Sequence, residues 1–489
     1  MKSSSSASPR IATNILHYFG GQAGIAFFNI IISVVLARYM SKETFGTLTY
    51  LLALSAVLFP IADLGATGLY LKESARTREE IGHHYVRSVA VKFYGFFLTL
   101  PPLWLYLHFF QREFESYFGL ICIYVVLQTI YLGTDVFFRA GEFARGWATR
   151  KILYEISYFV MTLGTLAILG WTRVLSQFVI AIIATFISLA WATVTIYRAT
   201  ALSWGEIKGE LFRPLTLSEL SALWPFALNA SLYIFYYRMT AVMIEQFGSK
   251  SDVADFRVAF VVVLAALYLP KAVSWASSPR LALYDEQGDK ERFRRLLRQS
   301  ADINLLIAGF VTLGGALYGA RLIGIAFGHK YASLSTLWML MNITIGIFYI
   351  QQFCVDLLNY LKKEREVVRT FVLGIVVLVA LNFILIPRLG SVGAAWARLI
   401  AGCIMMPINL YTLASLIGFE NLHGMNLYRF AAVNLIAGII GFLLLQVNFW
   451  LSLVVFIAAY GALLLLLKVL PENIRKSAGR FMRPFAGGA

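Results

Sequence analysis

Charge is scarce along this chain. Of its 489 residues, 14% are charged and 59% are hydrophobic, and the mean hydropathy is +0.72. This balance excludes an ordinary soluble globular domain, in which about a quarter of the residues are charged. Uncharged stretches of about 20 residues, each long enough to cross ~30 Å of hydrocarbon as a helix, recur from one end to the other. The composition therefore predicts an all-α polytopic membrane protein.

Cysteine and histidine are also rare. The three cysteines, Cys122, Cys354 and Cys403, each lie in an apolar segment without CxxC spacing, which argues against a disulfide framework or a thiolate metal site. Two of the six histidines, His83 and His84, are adjacent, without a Cys or carboxylate at metal-ligand spacing. We expect these two to form a solvated pair. We therefore predict no catalytic residues, no metal site and no enzyme activity.

Long hydrophobic runs dominate what is present, and we count about fourteen candidate membrane spans, with twelve and thirteen as the competing values. The segments lie near 12–37, 46–70, 88–110, 117–138, 152–170, 176–197, 220–246, 253–275, 300–319, 332–358, 369–386, 393–417, 428–446 and 449–469.

The net charge of +16 follows the loops between these segments. Most of the 42 Lys and Arg residues fall in the two termini and in every second loop, beginning with 71–87. The positive-inside rule then places both termini in the cytoplasm. A nucleic-acid partner is not needed to explain the surplus. The connections predicted outside, such as 38–45, 111–116 and 171–175, are short turns.

A weak internal repeat divides the spans. The stretch LSAVLFP (54–60) aligns with LAALYLP (264–270), and IAFFNI (25–30) aligns with IFYYRM (234–239). Two halves of six spans each would enter the membrane from the same side, as in transporters that bind cargo between repeated halves. The predicted organisation is an N-lobe at 1–197, a cytoplasmic linker at 198–219, a C-lobe at 220–417, and two further spans with a cytoplasmic tail at 418–489.

Four motifs carry a resemblance to a known family. LARYMSKETFG (36–46) and ADLG (62–65) followed by a basic loop resemble the opening of the Wzx-type polysaccharide or O-antigen flippases. VDLLNYLKKEREVVRTFVL (355–373) and LNFILIPRLGSVGAAWARLIAG (381–402) resemble later helix connections of the same family. The resemblance covers essentially the whole chain. These flippases are the polysaccharide transporter branch of the multidrug/oligosaccharidyl-lipid/polysaccharide exporter (MOP) superfamily.

The resemblance implies a MATE-like fold of two six-helix lobes around a central cavity, plus two C-terminal helices. It also implies alternating access that moves a polyprenyl-pyrophosphate-linked oligosaccharide from the cytoplasmic to the outer leaflet of a bacterial inner membrane. Coupling to H⁺ or Na⁺ without a cofactor would drive the movement. The implied partners are the lipid-linked glycan, membrane lipids and other polysaccharide assembly proteins. One departure is Arg238, which stands in the seventh span where the family often has an acidic residue.

A diphosphate cargo needs fixed cations, and Arg is suited to phosphate because it stays charged and offers paired donors. Arg238 is the first candidate, with a structural ion pair or a snorkelling side chain as the alternative. Lys271 follows Pro270 inside the eighth span. Arg257 and Arg398, near the outer side, are candidates to receive the diphosphate late in the cycle, and interfacial anchoring explains them equally well.

Acidic residues within spans are candidates for gating or coupling. Asp63 follows Pro60 much as Lys271 follows Pro270, so we hypothesise that Asp63 and Lys271 pair across the lobes in one state. The alternative is that Asp63 accepts hydrogen bonds from backbone groups freed at the proline bend.

Five further charged residues complete the gating and coupling set. Lys92 and Asp302 occupy matching places in the two halves, close to span ends, where a surface position is the alternative. Glu155, Asp135 and Asp356 lie near span ends and are candidates to bind a coupling proton or sodium ion.

Three other functions compete. A lipid II flippase and a MATE-type multidrug/cation antiporter share the implied fold, although an antiporter of cations would favour an anionic cavity. A membrane glycan polymerase or ligase would need a sizeable outer loop for its catalytic residues, which the short outer connections disfavour.

Overall fold

The structure is a computed structural model that describes residues 7–200, 202–419 and 424–469. Within these ranges every regular element is helical. The α-helices are α1 Ala7–Tyr39, α2 Lys42–Asp63, α3 Ala66–Arg76, α4 Ile81–Phe110, α5 Phe118–Gly133, α6 Asp135–Ala140, α7 Ala144–Leu163, α8 Val174–Thr200, α9 Trp204–Phe212, α10 Leu217–Phe247, α11 Lys250–Ala266, α12 Tyr268–Glu286, α13 Lys290–Gly314, α14 Ala320–Phe327, α15 Ser335–Tyr360, α16 Glu364–Ile417, α17 Leu427–Leu445 and α18 Phe449–Leu466.

Twelve helical segments among the described residues are long and apolar enough to cross a membrane. One of them, α16, is 54 residues long and has a non-helical residue, Gly390, at φ 55° and ψ −133°, so two predicted spans meet there. The 31-residue α10 covers the predicted seventh span but carries Asn229 and Arg238 among its apolar residues, and it is not one of the twelve. The all-α polytopic fold is confirmed, and the number fourteen stays a prediction.

The chain forms two compact units. The first contains residues 1–261 and 375–397, and the second contains residues 262–374 and 398–489. The first unit therefore includes α10 and most of α11 as well as the predicted N-lobe and linker. The predicted lobe boundaries at 197 and 220 stay a prediction.

The bend after α2 explains why Pro60 precedes the ADLG motif (62–65) and why that motif ends in a glycine. Pro60 lies in the last turn of α2, the helix ends at Leu64 in the left-handed region, and Gly65 follows at φ +82° before α3 begins. A Cβ on Gly65 would lie 2.4 Å from the Leu223 carbonyl oxygen of α10. Glycine is needed here both for its positive φ and for this close approach.

The other end of α2 also meets its neighbour backbone to backbone. A Cβ on Gly46 would lie 1.8 Å from the carbonyl oxygen of Lys250, at the start of α11. Small residues allow membrane helices to pack this closely. The Gly65 and Gly46 contacts therefore fix α10 and α11 against α2 at both ends.

We expect Gly46→Ala to destabilise the protein, because the added methyl group must displace backbone, at a cost of about 1–3 kcal/mol or more. The matched control is Gly119→Ala, in the first turn of α5, where a Cβ meets nothing within 4 Å. Apparent melting temperature in detergent is the measurement. A Gly46→Ala protein as stable as the Gly119→Ala protein would contradict the packing described.

Candidate functional site

A cavity of about 150 Å³ lies inside the first unit, among α1, α2, α5, α7, α10 and α11. Its wall combines charge with hydrogen-bonding groups and aromatic rings. The polar and charged lining residues other than tyrosine are Asn29, Ser33, Thr49, Glu155, Arg238 and Arg257.

Two arginines predicted to bind the diphosphate come together in this cavity. Arg257 donates from Nη2 to the hydroxyl oxygen of Ser33 at 3.1 Å, which fixes its position against α1. Arg238 reaches the cavity from α10 and is close enough to repel Arg257 electrostatically. Two guanidinium groups that share an apolar surrounding favour an anionic ligand.

Glu155, one of the predicted coupling residues, lines the same cavity. Its side chain is buried, and Oε1 accepts a hydrogen bond from Asn29 Nδ2 at 3.2 Å. Lys151 and Arg257 both attract its carboxylate. The cavity wall therefore contains two guanidinium groups and one carboxyl group.

Three tyrosines line the cavity beside these charges, and the sequence analysis did not single them out. Tyr154 and Tyr158 flank Glu155 on α7, with ring centroids 6.1 Å apart. Tyr124 of α5 packs against Phe59 of α2 with ring centroids 6.0 Å apart. The helical spacing of Tyr154, Glu155 and Tyr158 was a sequence signal that could have indicated a shared face.

One end of α10 is held by an ion pair that the sequence analysis missed. Arg87 of α4 is 1% exposed, and it donates from Nε and Nη2 to the two carboxylate oxygens of Glu219 at 2.8 and 2.5 Å. Tyr70 donates to the same carboxylate, and Arg87 also donates to the Pro214 carbonyl oxygen at 3.1 Å. Burial works to raise the pKa of Glu219, but the hydrogen bonds from Arg87 and Tyr70 outweigh it, so that pKa is lowered.

Polar contacts also hold the opposite end of α10 and the start of α11. Lys250 Nζ lies 2.7 Å from Glu113 Oε2, and Gln111 Nε2 donates to Gln246 Oε1 at 2.9 Å. A second ion pair, Lys42 with Asp255 at 2.8 Å, joins the start of α2 to α11. Arg238 lies between the two ends along α10. Polar contacts therefore hold both ends of α10, and the cavity lies between them.

Asp63 has a partner within its own unit. Lys92 Nζ lies 2.5 Å from Asp63 Oδ1, and the backbone N–H of Thr67 donates to Oδ2 at 3.2 Å. Asp63 thus pairs with a buried lysine and also satisfies a backbone donor after the Pro60 bend. Lys92 is 2% exposed, so the surface position considered for it is wrong. A pairing of Asp63 with Lys271 stays a prediction.

Two other predicted acids have structural partners. Asp135 Oδ1 accepts from Arg150 Nη2 and, at 3.1 Å, from Trp147 Nε1. Asp302 is 5% exposed, so a surface position is wrong for it as well. Its Oδ1 accepts from the backbone N–H of Gly424 at 2.9 Å, in the segment that leads into α17.

The remaining predicted residues lie in the second unit. Asp356 Oδ1 accepts from Gln352 Nε2 at 2.7 Å, and Lys271 attracts the same carboxylate. Arg398 is fully buried in this unit. Lys271 and Asp356 therefore lie close enough to attract each other, and the sequence analysis did not predict this pairing.

The two histidines predicted to be solvated, His83 and His84, are partly exposed, and each lies near a carboxylate. His83 Nδ1 lies 3.9 Å from Glu210 Oε1, and His84 Nε2 lies 3.6 Å from Glu80 Oε2. Both histidines line a cavity of about 710 Å³ next to Arg87. In the part of the chain that the structure describes, no group of three or more His, Cys, Asp or Glu side chains could hold a metal ion.

A family model described as polysaccharide biosynthesis protein matches residues 11–282, more than half of the chain. The chain belongs to this family. The probable low-salt glycan biosynthesis flippase Agl15 of Haloferax volcanii is 22% identical over 420 residues, covering 83% of each chain. The resemblance to polysaccharide flippases is thereby confirmed.

Solved structures share the fold. The lipid II flippase MurJ in an inward closed conformation superposes with a TM-score of 0.67 at 12% identity, over 91% of this chain and 97% of that one. An inward-facing MATE family multidrug resistance transporter gives a TM-score of 0.60 at 13% identity, over 81% and 96%. The polysaccharide biosynthesis protein therefore has the helical membrane fold of the MATE and MurJ transporters.

We expect Glu219→Gln to destabilise the protein, because it leaves Arg87 buried without its carboxylate. Breaking a buried ion pair costs about 3–5 kcal/mol, and the partial exposure of this pair to the larger cavity favours the lower value. Because the pKa of Glu219 is lowered in the folded protein, the stabilisation is present above the unfolded pKa and is lost as pH falls through the folded pKa.

The difference in apparent melting temperature between the wild type and Glu219→Gln should therefore be largest near neutral pH and shrink in acid. Glu79→Gln, at an exposed carboxylate near the start of α4, is the control and should match the wild type. A difference that does not change with pH would rule out the assigned ion pair as its cause.

Proposed function

We propose that the protein moves a polyprenyl-diphosphate-linked oligosaccharide, the repeat unit of a surface polysaccharide, from the cytoplasmic to the outer leaflet. The membrane proposed is a bacterial plasma membrane, with both termini in the cytoplasm and a proton or sodium gradient as the driving force. Other polysaccharide assembly proteins are proposed as partners.

The observation that carries this proposal is the charge of the enclosed cavity. Arg238 and Arg257 face one carboxylate, Glu155, so the wall is net positive whether or not that carboxyl group is ionised. A cation transporter would need the opposite balance. A diphosphate supplies the anion, and paired guanidinium donors hold its oxygens strongly.

The size of the cavity requires a change of shape during transport. Its volume is about 150 Å³, which is too small for an oligosaccharide. The whole cargo can enter only when α10 and α11 separate from α2 and α4 at one end. Alternating access then consists of releasing the Arg87–Glu219 end and the Lys250–Glu113 end in turn.

Deleting the gene is expected to abolish a surface polysaccharide and to accumulate its lipid-linked diphosphate precursor inside the cell. A plasmid that carries Arg238→Gln with Arg257→Gln should fail to restore the polysaccharide, since each charge-assisted contact contributes about 1.5–3 kcal/mol. Arg369→Gln, at an exposed arginine paired with Glu366, is the control and should restore it.

The identity of the accumulated precursor separates the candidates. A glycan repeat unit supports the proposal, whereas lipid II would assign the protein to peptidoglycan synthesis. A normal surface polysaccharide with raised sensitivity to cationic dyes would indicate a drug antiporter instead.

Glu155→Gln should tighten the binding of a diphosphate, because it removes the negative charge that competes for Arg257. At an effective dielectric constant of about 20, such a charge is worth about 1–2 kcal/mol, or roughly a five- to thirtyfold change in affinity. Calorimetric titration with farnesyl diphosphate is the measurement. The control is Glu366→Gln, and equal affinities for both variants would show that Glu155 does not face the ligand.

A further inference from the structure

Glu245 is a buried carboxyl group that the cavity does not use. It lies in the last turns of α10 and is 8% exposed. Its Oε2 is enclosed and meets no hydrogen-bond partner among the residues that the structure describes. An ionisable side chain in such a place within a membrane helix is costly and calls for a functional explanation.

The groups that face Glu245 are already bonded to one another. The charged neighbours are Lys250 and Glu113, and they form the 2.7 Å ion pair that closes this end of α10. The titratable neighbours are Tyr50 and Tyr106, and Tyr50 donates its hydroxyl to Tyr106 at 3.3 Å.

The hydrogen bonds that begin at Tyr50 do not include Glu245 and end at the next residue, Gln246. Tyr106 donates to Gln246 Oε1 at 3.4 Å, and Gln111 donates to the same oxygen at 2.9 Å. The donors around Glu245 thus all bond to other acceptors. They belong to Lys250, Tyr50, Tyr106 and Gln111. An ionised carboxylate that accepts no hydrogen bond in this surrounding would have the full free-energy cost of desolvation, which a bound proton removes.

We propose that Glu245 binds a proton while the Lys250 end of α10 is closed and releases it when that end opens to water. Opening breaks the Lys250–Glu113 pair and admits water, and both a free ammonium group and water stabilise the carboxylate. Protonation therefore favours the closed end, and ionisation favours the open one. The gating role rests on the alternating access proposed above, whereas the proton site does not.

The proton site can be tested without any cargo. Infrared spectra of the purified protein in lipid nanodiscs at pH 7 should contain a protonated-carboxyl C=O band that Glu245→Gln removes. Glu113→Gln, which alters the neighbouring carboxylate, should keep the band. A band that Glu245→Gln leaves unchanged would overturn the site, and a band lost when potassium buffer is replaced by sodium buffer would assign it to sodium instead.

The gating role needs a second measurement. A Thr49→Cys variant, in a background with Cys122, Cys354 and Cys403 replaced by serine, places one thiol in the cavity wall. A membrane-impermeant maleimide should label it several-fold more slowly at alkaline pH when Glu245→Gln is added, and at the same rate in acid. Equal labelling at every pH would overturn the link to opening, even if the infrared band had confirmed the proton site.

Discussion

The burial of charge is the constraint on which the first unit depends. Arg87, Lys92 and Arg150 are each at most 2% exposed, and each is bonded to a carboxylate of another helix. Removing one partner of such a pair leaves an uncompensated charge in an apolar surrounding. These pairs therefore hold the helices together in the conformation described, and none of their side chains is among the lining residues of the cavity that contains Arg238 and Arg257.

The enclosed cavity has a different balance. Arg238 and Arg257 share it with one carboxyl group, and the two ends of α10 are closed around it by polar contacts. Gly46 and Gly65 add backbone contacts at the same two ends, with no side chain between the helices. The site proposed for the diphosphate is thus combined with two closures, which the proposed alternating access would break in turn.

Several features followed from local sequence. Long apolar runs fixed the all-helical membrane fold, because no other element satisfies its backbone within lipid except a closed barrel. The ADLG motif indicated a bend, since Pro60 and Gly65 restrict the backbone by themselves. Arg238 was predicted to face a cavity because a charged residue surrounded by apolar ones on a spanning helix is unstable against lipid, and it lines the cavity of the first unit.

The sequence by itself determined the class of protein and the family, because these depend on composition and on motifs a few residues long. Only the tertiary structure decided the partners: Lys92 for Asp63, and Glu219 for Arg87 across more than a hundred residues. It also showed that Glu245, rather than an acid in a recognisable motif, lacks a donor. Pairing and solvation depend on which helices meet, and no local spacing in a single sequence encodes that.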